Sequence, residues 1–480
     1  MKIKKIEVQN NPFFNNFVLD LTNNSGTIFD NIILAGENGC GKTQFLNIIY
    51  DFSLLNLQGD VNNEKRIFTI ILSPDEISQI NSILESRLKI AAATGLLEIT
   101  FDMSKPSGNW DRIEYNFQEQ IPPNAPTFKQ IQSVHLTPKN EVKTIFKSIY
   151  STVEINYIPK EASTITSKEI DEEMTISQKS GSDLATEIQQ LFIDIQNNDA
   201  NELLNWVNSN KNAVPPNNIV NPRINRFKNA FTKVFTNLNF HEIKTSGGKK
   251  KVIFKKSNNE LEISDLSSGE KQIVFRGSFL LRNQQTLKGC PVLIDEPEIS
   301  LHPIWQTKIF EYYRNLFVDA SGTQTSQIFI ATHSNYVLSS ALIRPNDTTI
   351  ITLEANTGGG ITIKNITSPF VLPTTTAAEL NYYAFNIPSN DYHIQLYGKL
   401  QQKIVTLNSL SYCSVKRCDD YIKAQTEYTP SIHQKNSSFG STTYDTLPTY
   451  IRNAIDHPDT TSGFTEEELK TSIELLIKLC

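Results

Sequence analysis

The apolar and polar positions of this chain alternate between a period of two and a period near 3.6, which predicts a mixed α/β protein. Residues 2–8, 16–21 and 27–35 read as strands, and the last of them ends in the unbroken apolar run Ile32-Ile33-Leu34-Ala35. Residues 44–50 begin a helix, 67–72 and 96–101 read as strands, and 74–89 reads as a helix. Residues 153–159 read as a buried strand stopped by its proline. Residues 160–240 read as mostly helical. Leu184, Ile188, Leu191, Phe192 and Ile195 recur at helical spacing within 182–197, and 201–210 and 221–235 continue as separate helices. Sustained heptads are missing, so this is a short helical insertion and not a coiled-coil arm. Residues 241–263 read as a hairpin around Gly247-Gly248, followed by a helix to 281, strands at 291–294 and 327–331, and a last hairpin strand at 361–366. From 374 onward the pattern is helical, with helices expected at 377–385, 392–407, 413–428, 447–455 and 466–479, the last opened by a capping box at Thr465 and Glu468.

The chain has 480 residues, 39% of them hydrophobic, enough for two to three folded domains. A net charge of −6 argues against a wholesale nucleic-acid coat and leaves room for a local basic patch. Six lysines between Lys244 and Lys256 make one such patch, open to phosphate backbone or simply a solvated turn. No apolar run approaches the ~18 residues of a membrane span. Met1 leads directly into a strand pattern and not a signal peptide, so we expect a cytoplasmic protein with no membrane partner. Its five scattered cysteines are expected as reduced thiols. Cys413 and Cys418 lack the second pair or nearby histidine that a zinc site needs.

Against this background the stretch Gly36-Glu37-Asn38-Gly39-Cys40-Gly41-Lys42-Thr43 carries the chemistry. A strand, a glycine loop and a helix in that order form a phosphate-binding loop, in which backbone N–H groups and the helix N-terminus surround phosphate oxygens. Lys42 would reach the β- and γ-phosphates of ATP, and Thr43 would offer a hydroxyl to Mg²⁺. Much later comes Leu266-Ser267-Ser268-Gly269-Glu270-Lys271-Gln272, a capped helix start that forms a second anion-binding end. A short apolar strand then delivers Asp295 and Glu296. Asp295 can hold the metal with Thr43, directly or through water, and Glu296 can deprotonate the attacking water. A further strand ends at Thr332-His333-Ser334, where His333 can bond a γ-phosphate or the lytic water.

The set GENGCGKT, LSSGEKQ, VLIDEPEISLHP and ATHSNYVL resembles the ABC-type ATPases of the SMC and OLD branch, and most of all the stand-alone bacterial ATPases of antiphage defence systems such as Septu, PARIS and retron-linked types. The resemblance covers residues 1–60 and 240–365. It implies an α/β ABC-type P-loop ATPase head with a helical insertion and a helical C-terminal domain, divided as 1–160, 161–240, 241–368 and 369–480. It also implies a homodimer with two ATP molecules sandwiched, in which Asn38, Gly39, Cys40, Gly41, Lys42, Thr43 and Gln44 of one subunit face Ser267, Ser268, Gly269 and Glu270 of the other. Lys42, Glu296 as general base and His333 as switch histidine would be catalytic, Thr43 and Asp295 would hold Mg²⁺, and residues 300–302 would lie at the dimer contact. The family's metal-sensing glutamine has only Gln130 and Gln132 as candidates. The transporter branch fits poorly because its signature usually reads LSGGQ. No TOPRIM-like carboxylates follow residue 365, so a nuclease effector would be a partner chain. Near the C-terminus Arg452-Asn453 and His457 resemble the Arg-x4-His motif of HEPN ribonucleases, an alternative being an Arg452–Asp456 contact within a docking bundle. The functional expectation is an ATP-driven switch in phage defence, with a DNA-clamping repair ATPase and an ATPase bearing its own ribonuclease as alternatives.

Overall fold

The computed structural model describes all residues except 56–61, 84–94, 106–112, 120–128, 135–143, 154–157, 163, 173, 175, 212, 320, 357–359, 367–370 and 459–462. Residues 154–157 of the strand expected at 153–159, and the end of the helix expected to reach 89, therefore lie outside the described residues; 153, 158 and 159 are not in a strand.

The chain forms two compact units, Met1–Asn365 and Ile366–Cys480. In the first, β1 (Lys2–Asn11), β2 (Asn15–Asp20) and β3 (Asn31–Ala35) lead to α1 (Lys42–Leu54). Then come β4 (Lys65–Ile71), α2 (Pro74–Ile83), β5 (Leu96–Asp102), β6 (Ile113–Glu119), β7 (Lys129–Val134), β8 (Ile149–Ser151) and β9 (Gln178–Lys179). Two helices follow, α3 (Leu184–Ser209) and α4 (Pro222–Thr232), and then β10 (Leu238–Ser246), β11 (Lys249–Lys256) and β12 (Asn259–Glu262). The unit closes with α5 (Ser268–Arg282), β13 (Val292–Asp295), α6 (Pro303–Leu316), β14 (Ile328–Thr332), α7 (Asn335–Ala341), β15 (Thr348–Ala355) and β16 (Ile361–Ile366).

One sheet has the order β2-β1-β4-β5-β6-β7 and the other β16-β15-β3-β14-β13-β8-β9. The first is antiparallel. In the second, β15, β3, β14, β13, β8 and β9 run parallel. Every residue of β3, β13 and β14 is buried, as central parallel strands covered on both faces require. Helix α1 shares one core with residues of both sheets. Phe45, Leu46, Ile49 and Phe52 point into it, each worth about 1.5–3 kcal/mol of burial, and the Phe52 ring stacks on Phe68 of β4 at 4.2 Å. In β1, Ile3 and Ile6 are an odd number apart, which in a regular strand would place them on opposite faces. A register shift between Ile3 and Lys5 turns both inward. This is a mixed α/β architecture in which the parallel sheet carries the loop that leads into α1.

The insertion differs from expectation. Residues 161–180 contain no helix among those described and include β9. The Asp194 carboxylate accepts from the Thr166 N–H and hydroxyl and the Lys168 N–H, so side-chain bonds replace helical ones here. The helices expected at 182–197 and 201–210 are one helix, α3. The polar stretch between them does not break it, because Asn198 donates to Glu169, and Asp199 accepts from the backbone of Arg223 and Ile224 in α4. The expected hairpin at 241–263 is a three-stranded sheet, β10-β11-β12, with its turn at Gly247-Gly248.

The second unit contains α8 (Ala377–Phe385), α9 (Asn390–Leu407), α10 (Val415–Lys423), α11 (Pro430–His433), a hairpin of β17 (Gln434–Phe439) and β18 (Thr442–Thr446), α12 (Leu447–Asp456) and α13 (Glu466–Leu479). The hairpin corrects the purely helical expectation. Its anchor is the fully buried Asp419 of α10, which accepts from the Asp445 and Thr446 N–H groups and the Thr446 hydroxyl. No described helix is long and apolar enough to cross a membrane.

Candidate functional site

The parallel register decides where the chemistry gathers. Asp295 lies opposite Ala331, and Ala331 opposite Leu34, so the C-terminal ends of β3, β13 and β14 open at one level. The loop after β3 is built on its glycines. A Cβ at Gly36 would lie 2.5 Å from the Leu353 carbonyl oxygen, and one at Gly41, where φ is 89°, would lie 2.3 Å from the Phe13 ring. Gly41 caps α1 with no side-chain bond, so the first-turn N–H groups remain open to an anion. Lys42 is buried, and its Nζ spans the loop to the Gly36 and Glu37 carbonyls at 2.8 and 2.9 Å. Cys40 is buried beneath the loop, its thiol pushed up by burial, whereas Asn38, Gly39, Thr43 and Gln44 are exposed.

Residues 252 positions apart meet at this end of the sheet. The Thr43 hydroxyl donates to Asp295 Oδ2 at 2.8 Å, and the Tyr150 hydroxyl donates to the same oxygen at 3.3 Å. Asp295 Oδ1 is buried and has no hydrogen-bond partner among the described residues. Burial pushes the Asp295 carboxyl above the usual range, against the Thr43 bond that lowers it. A desolvated carboxylate with one orphaned oxygen beside a hydroxyl suits a hard, oxygen-seeking cation, so Thr43 and Asp295 fit Mg²⁺.

Glu296 follows in the left-handed region, with φ 45°, and its N–H is tied to Ala331 O at 2.8 Å. Its Oε1 lies 3.5 Å from His333 Nδ1, and Glu298 Oε1 lies 3.3 Å from the same nitrogen. Glu298 also accepts the Thr332 hydroxyl at 2.6 Å and the His333 N–H at 2.7 Å, which fixes the strand tip carrying the imidazole. The His333 bond holds the Glu296 carboxyl below the usual range, and Glu296 in turn raises the His333 imidazole. Burial raises Glu298. Beneath them Arg276 of α5 is 1% exposed. Its guanidinium donates to the carbonyls of Asp295 (2.5 Å), Glu296 (3.1 Å) and Ser151 (3.1 Å) and to Ser151 Oγ (2.8 Å). Arg276, Tyr150 and Glu298 escaped the sequence reading. Only Glu298 carried a signal, its place two residues after Glu296.

The helix end at Ser267 has the expected cap. Ser267 N–H and Oγ donate to Glu270 Oε2 at 2.9 and 2.8 Å, and Lys256 Nζ donates to Glu270 Oε1 at 2.8 Å. Both oxygens of the Glu270 carboxylate are thus engaged inside the subunit, and the residue is 2% exposed. Ser267 and Ser268 are exposed, and Gly269 packs against Ser300, Leu301 and Trp305. His302 caps α6 through Nδ1. Gln130 and Gln132 lie on β7, the edge strand of the antiparallel sheet, so the parallel strands deliver neither to the site. In the second unit Arg452 Nη2 pairs with Asp456 at 2.6 Å and Nη1 donates to Asn453 at 3.0 Å, while the exposed His457 caps α12. Four of the six hairpin lysines pair with carboxylates: Lys244 with Glu260, Lys249 with Glu161, Lys251 with Glu262 and Lys256 with Glu270.

The AAA ATPase domain family matches residues 61–338, more than half of the chain, a span that begins after the phosphate loop and includes Ser267, Asp295, Glu296 and His333. No curated protein matches the sequence significantly. Among solved structures, an Smc head bound to the C-winged helix domain of ScpA aligns at 11% identity over 76% of this chain and 98% of that one, with a TM-score of 0.43. The Smc head domain with an extended coiled coil, bound to the C-terminal domain of ScpA derived from Pyrococcus furiosus, aligns at 13% identity over 76% and 96%, with a TM-score of 0.41. The SMC head domain from Thermotoga maritima aligns at 11% over 76% and 99%, with a TM-score of 0.36.

Proposed function

Because this chain belongs to the AAA ATPase domain family, we propose that it binds ATP with Mg²⁺ at the loop 36–43, hydrolyses it to ADP and phosphate, and works as an ATP-gated switch. The observation that carries this reading is the 2.8 Å bond from Thr43 to Asp295, with the second Asp295 oxygen buried beside it and unpartnered among the described residues. Thr43 and Asp295 would hold the metal, which when bound neutralises phosphate charge. Lys42 and the open N–H groups of α1 bind the phosphates. Glu296, ionised at neutral pH because its carboxyl is held low, takes the proton of the attacking water. His333, whose raised pKa favours the charged form, donates to the γ-phosphate side. The exposed Ser267–Ser268 helix end then serves the ATP of a second copy, giving a sandwich dimer.

The motif resemblance supports a place in antiphage defence, with ATP-dependent dimerisation controlling a partner nuclease. The ion pairs that neutralise most of the hairpin lysines weigh against a DNA clamp on that sheet, and the Arg452–Asp456 pair weighs against a free ribonuclease arginine. Glu296→Gln should retain ATP binding and lower turnover by about 10²-fold or more, read by nucleotide titration and phosphate release. Unchanged turnover removes the base assignment. In cells carrying the native locus, Lys42→Ala should abolish protection from phage, and protection that persists would sink the defence role.

A further inference from the structure

The hydrolysis proposed above gives Glu298 no part, yet this residue is built into the site. Its side chain is 3% exposed, and its backbone is pinned on both sides. Gln272 of α5 donates to the Pro297 carbonyl at 2.8 Å, and the Leu301 N–H donates to the Glu298 carbonyl at 3.0 Å. Burial pushes the Glu298 carboxyl up, and a buried carboxylate persists only where donors compensate. Three converge on its Oε1: the Thr332 hydroxyl at 2.6 Å, the His333 N–H at 2.7 Å and His333 Nδ1 at 3.3 Å. Its Oε2 is buried with no hydrogen-bond partner among the described residues, so no competing bond turns the group away from the strand tip.

The imidazole of His333 therefore faces two carboxylates that are held differently. Glu296 Oε1 lies 3.5 Å from the same Nδ1. The Glu296 side chain is 21% exposed and makes no other hydrogen bond or ion pair among the described residues. Glu298 is tied to the strand tip by two further bonds, whereas Glu296 can turn away. A ring nitrogen facing two carboxylates is one that carries hydrogen, because a lone pair there would be repelled. Nε2 is then the nitrogen on the far side of the ring, and it makes no hydrogen bond among the described residues. The remaining charged group that acts on this imidazole is Lys42, which disfavours its protonation and has no bearing on which nitrogen meets the carboxylates.

We infer that Glu298 is the positioning residue of His333: it keeps the Nδ1 hydrogen, presents Nε2 to the nucleotide side and leaves the Glu296 carboxylate free to take the proton of the attacking water. The roles of Nε2 and Glu296 rest on the ATPase reading above, whereas the hold of Glu298 on the imidazole does not. The first test therefore needs no nucleotide. In the full chain labelled with ¹³C-histidine, the His333 signal is identified by its loss in His333→Ala and titrated by NMR. Glu298→Gln is nearly isosteric and can still accept from Thr332, but it lacks the charge, so the His333 midpoint should fall by about one pH unit. Glu298→Asp keeps the charge and should lower it less. The second test is kinetic. Glu298→Gln should reduce kcat for ATP by about ten-fold or more with ATP affinity unchanged, and should have no further effect in a His333→Ala chain. An unchanged His333 midpoint in Glu298→Gln overturns the inference, as does an equal fall in kcat with and without His333, which would mean that Glu298 only supports the fold. A chain with no ATP turnover at all removes the ATPase reading and leaves the titration to decide whether Glu298 holds the imidazole.

Discussion

Glu296 shows how a single residue serves two demands. Its left-handed φ of 45° is a strained conformation for a residue with a Cβ, and the N–H bond to Ala331 together with the Arg276 contact on its carbonyl holds it there. Arg276 is therefore a positioning residue, reading three backbone carbonyls from below and touching no reacting atom. Arg276→Met leaves those carbonyls buried and unpaired. We expect a loss of about 3 kcal/mol in urea unfolding and a fall in kcat larger than any change in ATP affinity. Arg276→Lys keeps the charge and loses the fork, so it should recover only part of both. Equal kcat in all three proteins would show that the guanidinium supports the fold alone.

At the scale of elements, α5 joins the signature end to the metal end. Its N-terminus is the Ser267–Glu270 capping box, and its middle carries Arg276 and then Gly277. A Cβ at Gly277 would fall 2.0 Å from the Tyr312 hydroxyl of α6, so this glycine sets the distance between the two helices. Gly277→Ala should destabilise by about 1–3 kcal/mol through overpacking, and Tyr312→Phe in the same chain should restore part of it. A double-mutant cycle in denaturant reads the coupling, and additive effects would contradict the contact. Ser267→Ala should cost about 1 kcal/mol in the same measurement.

At the scale of the whole molecule the two units carry separate cores, and they differ in how pH acts on them. In the second unit His393 of α9 is fully buried, with Nε2 2.9 Å from Ser472 Oγ, and burial lowers its pKa from 6.5 to about 3. An unfolded chain binds a proton at this histidine below pH 6.5, but the folded unit does not until about pH 3. Stability is therefore unaffected by His393 above 6.5 and falls between those values as pH drops, by at most about 1.4 kcal/mol per pH unit. Hydrogen exchange in α9 and α13 across this range should show the loss, and His393→Leu should flatten it. An unchanged slope would mean that other groups govern acid unfolding of this unit.

Local chemistry made much of the molecule legible. The phosphate loop, the Ser267 cap, the strands ending at Asp295 and Thr332, and the capping box at Thr465 are short-range patterns, in which the residues that form the feature lie within a few positions of one another. Features that depend on a distant partner were not legible. The unity of α3 rests on Glu169 and α4, the β17–β18 hairpin on Asp419, and the fate of Glu270 on Lys256 across a strand. The site divides along the same line. Sequence alone identified Thr43, Asp295, Glu296 and His333 as chemically capable, because their types and local settings are sufficient for that. Only the parallel register of β3, β14 and β13 brought them to one level, and only burial placed Tyr150, Glu298 and Arg276 around them, because packing selects neighbours by space and not by position in the chain.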